Sequence, residues 1–154
     1  MIRSFAILAA TAAVALPAAA FADAAFPPPS GWSHVDVAAT DPAHTIQQWH
    51  IAGDVSSLTY AKDTGTSYAD ALARIQKNFA DNKIRPAKDK DMPCQGKTAH
   101  VIEFATGPDG HQVVINRLLV PDAAGVDTVT YVRSDGAVFD ADVQKSIAAY
   151  CAAT

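Results

Sequence analysis

The sequence has little cysteine, no excess of positive charge and no apolar segment suited to a membrane anchor. Only two of its 154 residues are cysteine, and 12 basic residues stand against 16 acidic ones, which gives a formal net charge of −4. Nucleic acids and anionic membranes attract concentrated basic surfaces, so the charge balance disfavours both as partners. The long apolar run from Phe5 to Ala20 is rich in alanine and interrupted by Pro17. A membrane anchor needs about 20 strongly apolar residues, and this run falls short of that.

The N-terminus instead has the pattern of an export signal. One basic residue, Arg3, precedes the apolar run, and Ala20-Phe21-Ala22 supplies small residues at the spacing of a cleavage site. We expect residues 1–22 to be a signal peptide that is cleaved near Ala22, and the mature protein to be periplasmic or secreted without membrane insertion. Roughly 130 residues then remain, which is enough for a single domain with one core.

The two cysteines, Cys94 and Cys151, both lie in the exported part of the chain. An oxidising compartment favours a disulfide between them. The alternative is a reactive or metal-binding thiol pair, but the sequence has neither a C-x-x-C spacing nor a histidine pattern beside either cysteine. We therefore predict one disulfide, which joins the last part of the chain to its middle.

Strand propensity and turn residues predict an antiparallel sheet. Residues 23–31 are expected to be a proline-rich entry arm, since proline forbids helix, and residues 32–154 a single domain. The alternating charges of Lys88-Asp89-Lys90-Asp91 predict a solvated loop. The predicted strands are 32–37, 45–51, 55–61, 98–105, 111–120 and 126–133, with 98–105 and 111–120 forming a hairpin.

Apolar residues at helical spacing predict two amphipathic helices. The first spans residues 68–82 and begins after Ser67, which can cap it together with Asp70. The second closes the chain from Phe139 onwards, with Asp140 and Asp142 suited to its positive N-terminal end. The predicted fold class is α+β: an antiparallel sheet of five to six strands packed with two amphipathic helices, and one disulfide.

One short motif is typical of a catalytic site. Asp63-Thr64-Gly65-Thr66-Ser67 resembles the active-site signature of aspartic peptidases, in which two carboxylates share a proton and activate water. The chain has one copy, so catalysis would require a symmetric dimer. Lys62 precedes the motif where the signature has an apolar strand residue, and a predicted helix follows it. The pattern therefore favours a turn and a helix cap, and a dimeric aspartic peptidase through Asp63 is disfavoured.

No other pattern points to catalysis or to a metal. The histidines show no metal-ligand spacing, and no G-x-S-x-G nucleophile elbow occurs. A triad assembled from distant positions is recognised by geometry alone, so it stays open. We assign no catalytic residue, no metal and no cofactor. Trp49, Tyr60 and Tyr131 are the candidate ligand or partner surface, although aromatic residues in strands also serve as core.

The order of elements and several short motifs resemble the PsbP-like superfamily. That superfamily is named after the extrinsic photosystem II subunit and includes a Ran-binding nuclear protein and many bacterial exported proteins. The matching segments are Gly31-Trp32, residues 57–60, the helix over 68–79, residues 96–104 and 128–132, and Phe139. The resemblance implies an antiparallel sheet between helices and a role in binding or assembly. Its members share no common catalytic residues, so no site residue is carried over.

The leading hypothesis from the sequence is an exported, non-catalytic accessory or binding protein of the cell envelope, with a protein partner that the sequence does not identify. The alternative is a small-molecule-binding module or a small hydrolase that uses an open sheet face. Convergent polar groups in a concave pocket would favour the alternative, and a flat apolar patch would favour the first hypothesis.

Overall fold

A computed structural model describes residues 26–37 and 43–153, so the predicted signal peptide lies outside the described residues. The elements in chain order are β1 (Ser33–Val35), β2 (His44–His50), β3 (Ser57–Asp63), α1 (Tyr68–Asn82), β4 (Lys88–Cys94), β5 (Lys97–Thr106), β6 (Val113–Pro121), β7 (Val126–Ser134) and α2 (Ala141–Ala152). No helix within these ranges is both long and apolar enough to cross a membrane.

The seven strands form one antiparallel sheet in the order β1-β2-β3-β7-β6-β5-β4. The chain builds two meanders, β1–β3 and β4–β7, and α1 connects them. The last strand of the second meander pairs with the last strand of the first, for example Leu58 opposite Tyr131. The edges of the sheet are therefore the three-residue β1 and the charged β4.

The predicted fold class is wrong in its strand count and balance: the sheet has seven strands instead of five to six, and the protein is mostly β with two short helices. The strand that sequence analysis missed is β4, where the alternating charges were interpreted as a solvated loop. Charged side chains and Pro93 are typical of an edge strand, because they discourage pairing with another chain. Solvation and strand structure are compatible at such an edge.

Successive strand residues point to opposite faces, and each face packs with a different helix. The α2 face carries the larger core, whose buried members are Phe26, Trp49, Leu58, Tyr60, Cys94, Ala99, Leu118, Val120, Val129, Tyr131, Val143 and Tyr150. The α1 face carries a smaller core made of Phe79, Ile102, Phe104, Leu119 and Val126. Each helix thus has its own apolar partner surface on the sheet.

Both helices begin after a polar capping residue: α1 follows Ser67, as predicted, and α2 begins at Ala141 after Asp140, two residues later than the predicted start at Phe139. The Ser67 side chain accepts a hydrogen bond from the Asp70 amide at 3.1 Å, and α1 covers the predicted range Tyr68–Asn82. At α2 the Asp140 carboxylate accepts from the amides of Asp142 and Val143 at 2.8 and 3.0 Å. These bonds satisfy amide groups that have no partner inside the helix.

The predicted disulfide is confirmed. Cys94 at the end of β4 is bonded to Cys151 in the last turn of α2, across 57 positions of sequence. The residue after β4 adds two hydrogen bonds to the same turn: the Gln95 amide donates to the Cys151 carbonyl at 2.7 Å, and its side chain donates to the Tyr150 carbonyl at 3.2 Å. The C-terminal end of α2 is therefore held to one edge of the sheet.

The described part of the entry arm is packed into the domain. Phe26 is 2% exposed, and its ring lies 5.7 Å from Trp49, 5.6 Å from Tyr60 and 5.3 Å from Tyr150. Pro29 is buried as well. The arm thus supplies an aromatic side chain to the larger core, between the sheet and α2.

Candidate functional site

Helix α1 covers only part of its sheet face. Leu119 on β6 belongs to the core under α1, and its register neighbours across the sheet are Thr128 on β7, then Ala61 on β3, then Ile46 on β2. Neighbours in register share a face. Exposure rises along this row, from 1% at Leu119 to 41% at Ile46, so the β2–β3–β7 side of the face is open.

A cleft of about 610 Å³ runs between α1 and this open half of the sheet. Its lining divides evenly between apolar and polar side chains, with seven residues of each kind. The lining residues are His44, Ala61, Asp63, Ala71, Arg74, Ile75, Asn78, Phe79, Phe104, Arg117, Leu119, Val126, Thr128 and Thr130. The helix thus provides one wall and the strands provide the floor.

Arg117 is a partly buried cation on the floor of the cleft. It lies on β6 opposite Thr130 of β7, and its Nε donates a hydrogen bond to the Thr130 hydroxyl at 3.3 Å. Burial lowers the pKa of Arg117, though an arginine keeps its charge in proteins. Within the described ranges, no carboxylate forms an ion pair with it. A cation that is removed from water without a countercharge is costly, so the floor favours an anion.

The rim of the cleft adds a second arginine. Arg74 is an exposed residue of α1, and Asn78 lies one turn further along on the same rim. The next basic residue of the helix, Lys77, is instead paired with Asp81 at 2.6 Å. Two guanidinium groups therefore line the cleft, Arg117 on the floor and Arg74 on the rim, and Asp63 is the lining carboxylate.

Asp63 is engaged in the turn between β3 and α1. Its carboxylate accepts a hydrogen bond from the Gly65 amide at 2.8 Å and lies 3.4 Å from the His44 ring. The hydroxyl of Thr66 holds the pKa of Asp63 below its usual value. Burial opposes this effect, and the Gly65 amide and His44 lower the pKa further. The motif thus forms a turn and a helix cap, as the sequence predicts.

The aromatic residues named from the sequence lie on the other face of the sheet. Trp49, Tyr60 and Tyr131 are 4%, 5% and 2% exposed and belong to the core under α2. The structure brings them together as packing around Phe26 and Phe139, for example with Tyr131 and Phe139 at 4.8 Å. They form no solvent-facing surface here.

Sequence analysis missed Arg117, although a signal was present. Residues 113–121 read Val-Val-Ile-Asn-Arg-Leu-Leu-Val-Pro, so a single charge stands within a strand that is apolar apart from Asn116. Its alternation partners, Ile115 and Leu119, point to the same face and pack against the smaller core. A lone arginine on the apolar face of a central strand indicates a buried cation that needs a partner.

A second polar cluster surrounds His100 on β5. Its ring nitrogens lie 2.7 Å from Asp91 and 2.6 Å from Asp89, both on the edge strand β4. Burial opposes the charge of the ring, but the hydrogen bonds and charges of Asp91 and Asp89 outweigh it and raise the pKa of His100. Tyr68 faces the same cluster, and burial followed by the charge of Asp91 raises its pKa too. Because both ring nitrogens contact carboxylates of β4, this cluster links β4 to β5.

A third cluster centres on a buried carboxylate. Asp127 of β7 is 8% exposed, and one of its oxygens accepts from the hydroxyls of Tyr60 at 2.9 Å and Tyr150 at 2.6 Å. Burial and then this bond to Asp127 raise the pKa of Tyr150. The cluster joins α2 to the sheet. In residues 26–37 and 43–153, no group of three histidine, cysteine or acidic side chains is placed to hold a metal ion.

The comparisons with known proteins assign no function to the cleft. No protein-family model matches the chain, and no curated protein matches it. Among solved structures, the crystal structure of PA94, a protein of unknown function from Pseudomonas aeruginosa, is similar over 77% of this chain and 90% of its own, with 16% sequence identity and a TM-score of 0.47.

Proposed function

We propose that the protein is an exported, non-catalytic binding protein that holds a small anionic molecule in the cleft beneath α1. The observation that carries the proposal is Arg117, a partly buried guanidinium on the cleft floor whose contact among the described residues is the neutral hydroxyl of Thr130. A bound anion would supply the countercharge that the fold leaves out. The site is thus incomplete without a ligand in a way that a purely structural arginine is not.

The dimensions and lining of the cleft support a small molecule. Ligand sites commonly measure about 300–1,000 Å³ and combine apolar walls with a few polar groups that orient the ligand. This cleft, at about 610 Å³, lies in that range. Ile75 and Phe79 contribute the apolar wall on α1, while Arg117 and Thr128 contribute polar groups on the floor.

A protein partner is the alternative occupant of the exposed surface. The described ranges expose only four large apolar residues, Val37, Ile46, Val55 and Val138. A small number of exposed apolar residues is ordinary on protein surfaces. The converging polar groups of the cleft therefore favour a small ligand over a flat protein interface.

Export and the resemblance to the PsbP-like superfamily belong to the same proposal. The signal-like N-terminus and the disulfide support function outside the cytoplasm, where such bonds persist. The resemblance supports binding without catalysis, because PsbP-like proteins have no common set of catalytic residues.

The proposal is tested with isotope-labelled mature protein and the small-molecule fraction extracted from the native host. Thr128→Trp places a large ring on the cleft floor, and Thr45→Trp is the matched control, since Thr45 is exposed on β2 and points to the opposite face. Amide shifts confined to α1, β6 and β7 are expected in the wild type and in Thr45→Trp but not in Thr128→Trp. Shifts that persist in a folded Thr128→Trp variant, or no shifts in the wild type, would overturn the proposal.

A further inference from the structure

We infer that the ligand of the cleft is a monocarboxylate with an apolar body, which Arg117 binds through its two terminal amino groups. This assignment rests on the proposed function, because it names the ligand class of the same site. Three features of the cleft support it: the orientation of the guanidinium, the balance of charge and the composition of the α1 wall.

The first feature is the bond between Arg117 and Thr130. A guanidinium can present either its Nε edge or its two terminal nitrogens to an oxyanion as a pair of parallel donors. Here Nε already donates to the Thr130 hydroxyl at 3.3 Å, so the terminal pair remains for a ligand. Two parallel donors in one plane match a carboxylate or a phosphate, so this feature points to an oxyanion and the charge of the lining distinguishes the two. Thr130 is thus a positioning residue that fixes which edge of Arg117 meets the ligand.

The second feature is the charge of the lining. Arg74 and Arg117 contribute two positive charges and Asp63 one negative charge, which leaves one positive charge when His44 is neutral. A monocarboxylate balances that charge. A phosphate monoester carries about −1.5 to −2 at neutral pH and would leave an excess of negative charge beside Asp63.

The third feature is the apolar wall beside the cation. Ile75 and Ala71 of α1 are only partly buried, and they adjoin Phe79 and Leu119 of the smaller core. An alkyl or aryl group laid along this wall would remove its apolar surface from water. The polar end of the same ligand would then meet Arg117 on the floor.

The test measures affinities by calorimetry with octanoate as the probe, and with 1-octanol and octyl phosphate as matched comparisons. Octanoate is expected to bind at least about tenfold more tightly than either comparison, because only it combines the apolar body with a planar monoanion. Arg117→Met is expected to weaken octanoate binding about tenfold or more and to leave 1-octanol binding unchanged. The matched control is Arg85→Met, since Arg85 is exposed and lies outside the cleft lining.

The role of Thr130 is tested separately. Thr130→Val keeps the shape of the side chain but removes the acceptor of the Arg117 Nε bond, so octanoate affinity is expected to fall several-fold and its advantage over octyl phosphate to shrink. Thr130→Ser is expected to restore both. A Thr130→Val variant with unchanged octanoate affinity and selectivity would contradict the positioning role.

Each other outcome overturns a specific step. Octyl phosphate binding as tightly as octanoate would overturn the carboxylate class, and 1-octanol binding as tightly would overturn recognition of an anion while leaving a small-molecule cleft. If octanoate shows no binding to the wild type, the ligand class is wrong whether or not the host extract shifts the cleft amides. That extract experiment alone decides the proposed function.

Discussion

At the scale of single residues, the protein treats its buried or partly buried charges in three different ways. His100 has a carboxylate at each ring nitrogen, and Asp127 accepts hydrogen bonds from the hydroxyls of two tyrosines. Arg117 has one neutral hydroxyl. Charged groups away from water are stable only when they are paired or well hydrogen-bonded. By this criterion the His100 cluster is structural. Asp127 is hydrogen-bonded at one carboxylate oxygen, and its other oxygen has no hydrogen-bond partner among the described residues. Arg117 is the cation whose environment favours a bound anion.

The His100 cluster predicts a stability that depends on pH. Because Asp91 and Asp89 raise the pKa of His100 in the folded state, the folded protein binds this proton more tightly than the unfolded chain does. Its contribution is complete below the unfolded pKa of about 6.5 and is lost as the pH rises through the higher folded pKa. We expect His100→Gln to lower the free energy of unfolding more near pH 5 than near pH 9, with a difference on the order of 1 kcal/mol. The difference is modest because the side chains of Asp89 and Asp91 are 43% and 67% exposed.

The measurement is urea denaturation of the wild type and His100→Gln across this pH range. His111→Gln is the control, because His111 is exposed in the loop between β5 and β6. A cost of His100→Gln that is equal at both pH values, or larger at high pH, would show that the ring is not held as a cation.

At the scale of helices and strands, the sequence predicts those features that residues close together in the chain determine. The bounds of α1 were predicted because Ser67 caps it and its apolar residues repeat at helical spacing. Strand β4 was missed because its edge position, and hence its strand structure, depends on pairing with β5. The faces of Trp49 and Tyr131 were also beyond prediction, since alternation does not tell which face a distant helix and Phe26 will cover. The cleft exists because α2 and Phe26 pack on the other face and leave part of the α1 face open.

The contact between two turns predicts an intolerant glycine. Gly125, in the turn before β7, lies against the backbone of Asp63 and Thr64, and a Cβ added there would overlap the carbonyl oxygen of Asp63 and come within 3.0 Å of the Thr64 Cα. We expect Gly125→Ala to destabilise the fold by about 1–3 kcal/mol in thermal or urea unfolding, because backbone must move. Gly65→Ala is the control, since its Cβ would meet only the Asp63 carboxylate at 3.5 Å, and we expect a change within about 0.5 kcal/mol. Equal effects of the two substitutions would contradict the packing of these turns.

The disulfide between β4 and α2 predicts a stability that depends on redox state. Cross-linking a loop of 57 positions restricts the unfolded chain and is worth about 4 kcal/mol in the chain-entropy model. We expect the Cys94→Ala/Cys151→Ala variant to lose about 2–4 kcal/mol by urea denaturation. Hydrogen exchange should accelerate most in the last turn of α2, and reductant should affect only the wild type. Unchanged exchange in α2 would show that Gln95 and Tyr150 hold the helix without the bond.

At the scale of the whole molecule, the asymmetry between the two faces explains why one of them offers a site. The α2 face is covered by a helix, a disulfide and the aromatic residue of the entry arm, and Phe26 and Tyr150 are buried in its core. The α1 face receives one helix over a seven-stranded sheet, so its β2–β3–β7 side stays open. The proposed ligand site and the closed core thus lie on opposite faces, and a change on one should leave the other intact.

Phe26 tests this division directly. Its ring is 2% exposed and packs with Trp49, Tyr60 and Tyr150. Phe26→Ala should therefore leave a cavity and lower the free energy of unfolding by about 3–5 kcal/mol in urea denaturation. Val138→Ala is the control and should cost little, because Val138 is 89% exposed. Octanoate affinity of the still-folded variant is expected to equal that of the wild type, because the cleft lies on the other face. A loss of less than about 1 kcal/mol would mean that the entry arm contributes little to the stability of the domain. A loss of octanoate binding at full stability would instead mean that the two faces are coupled through the sheet.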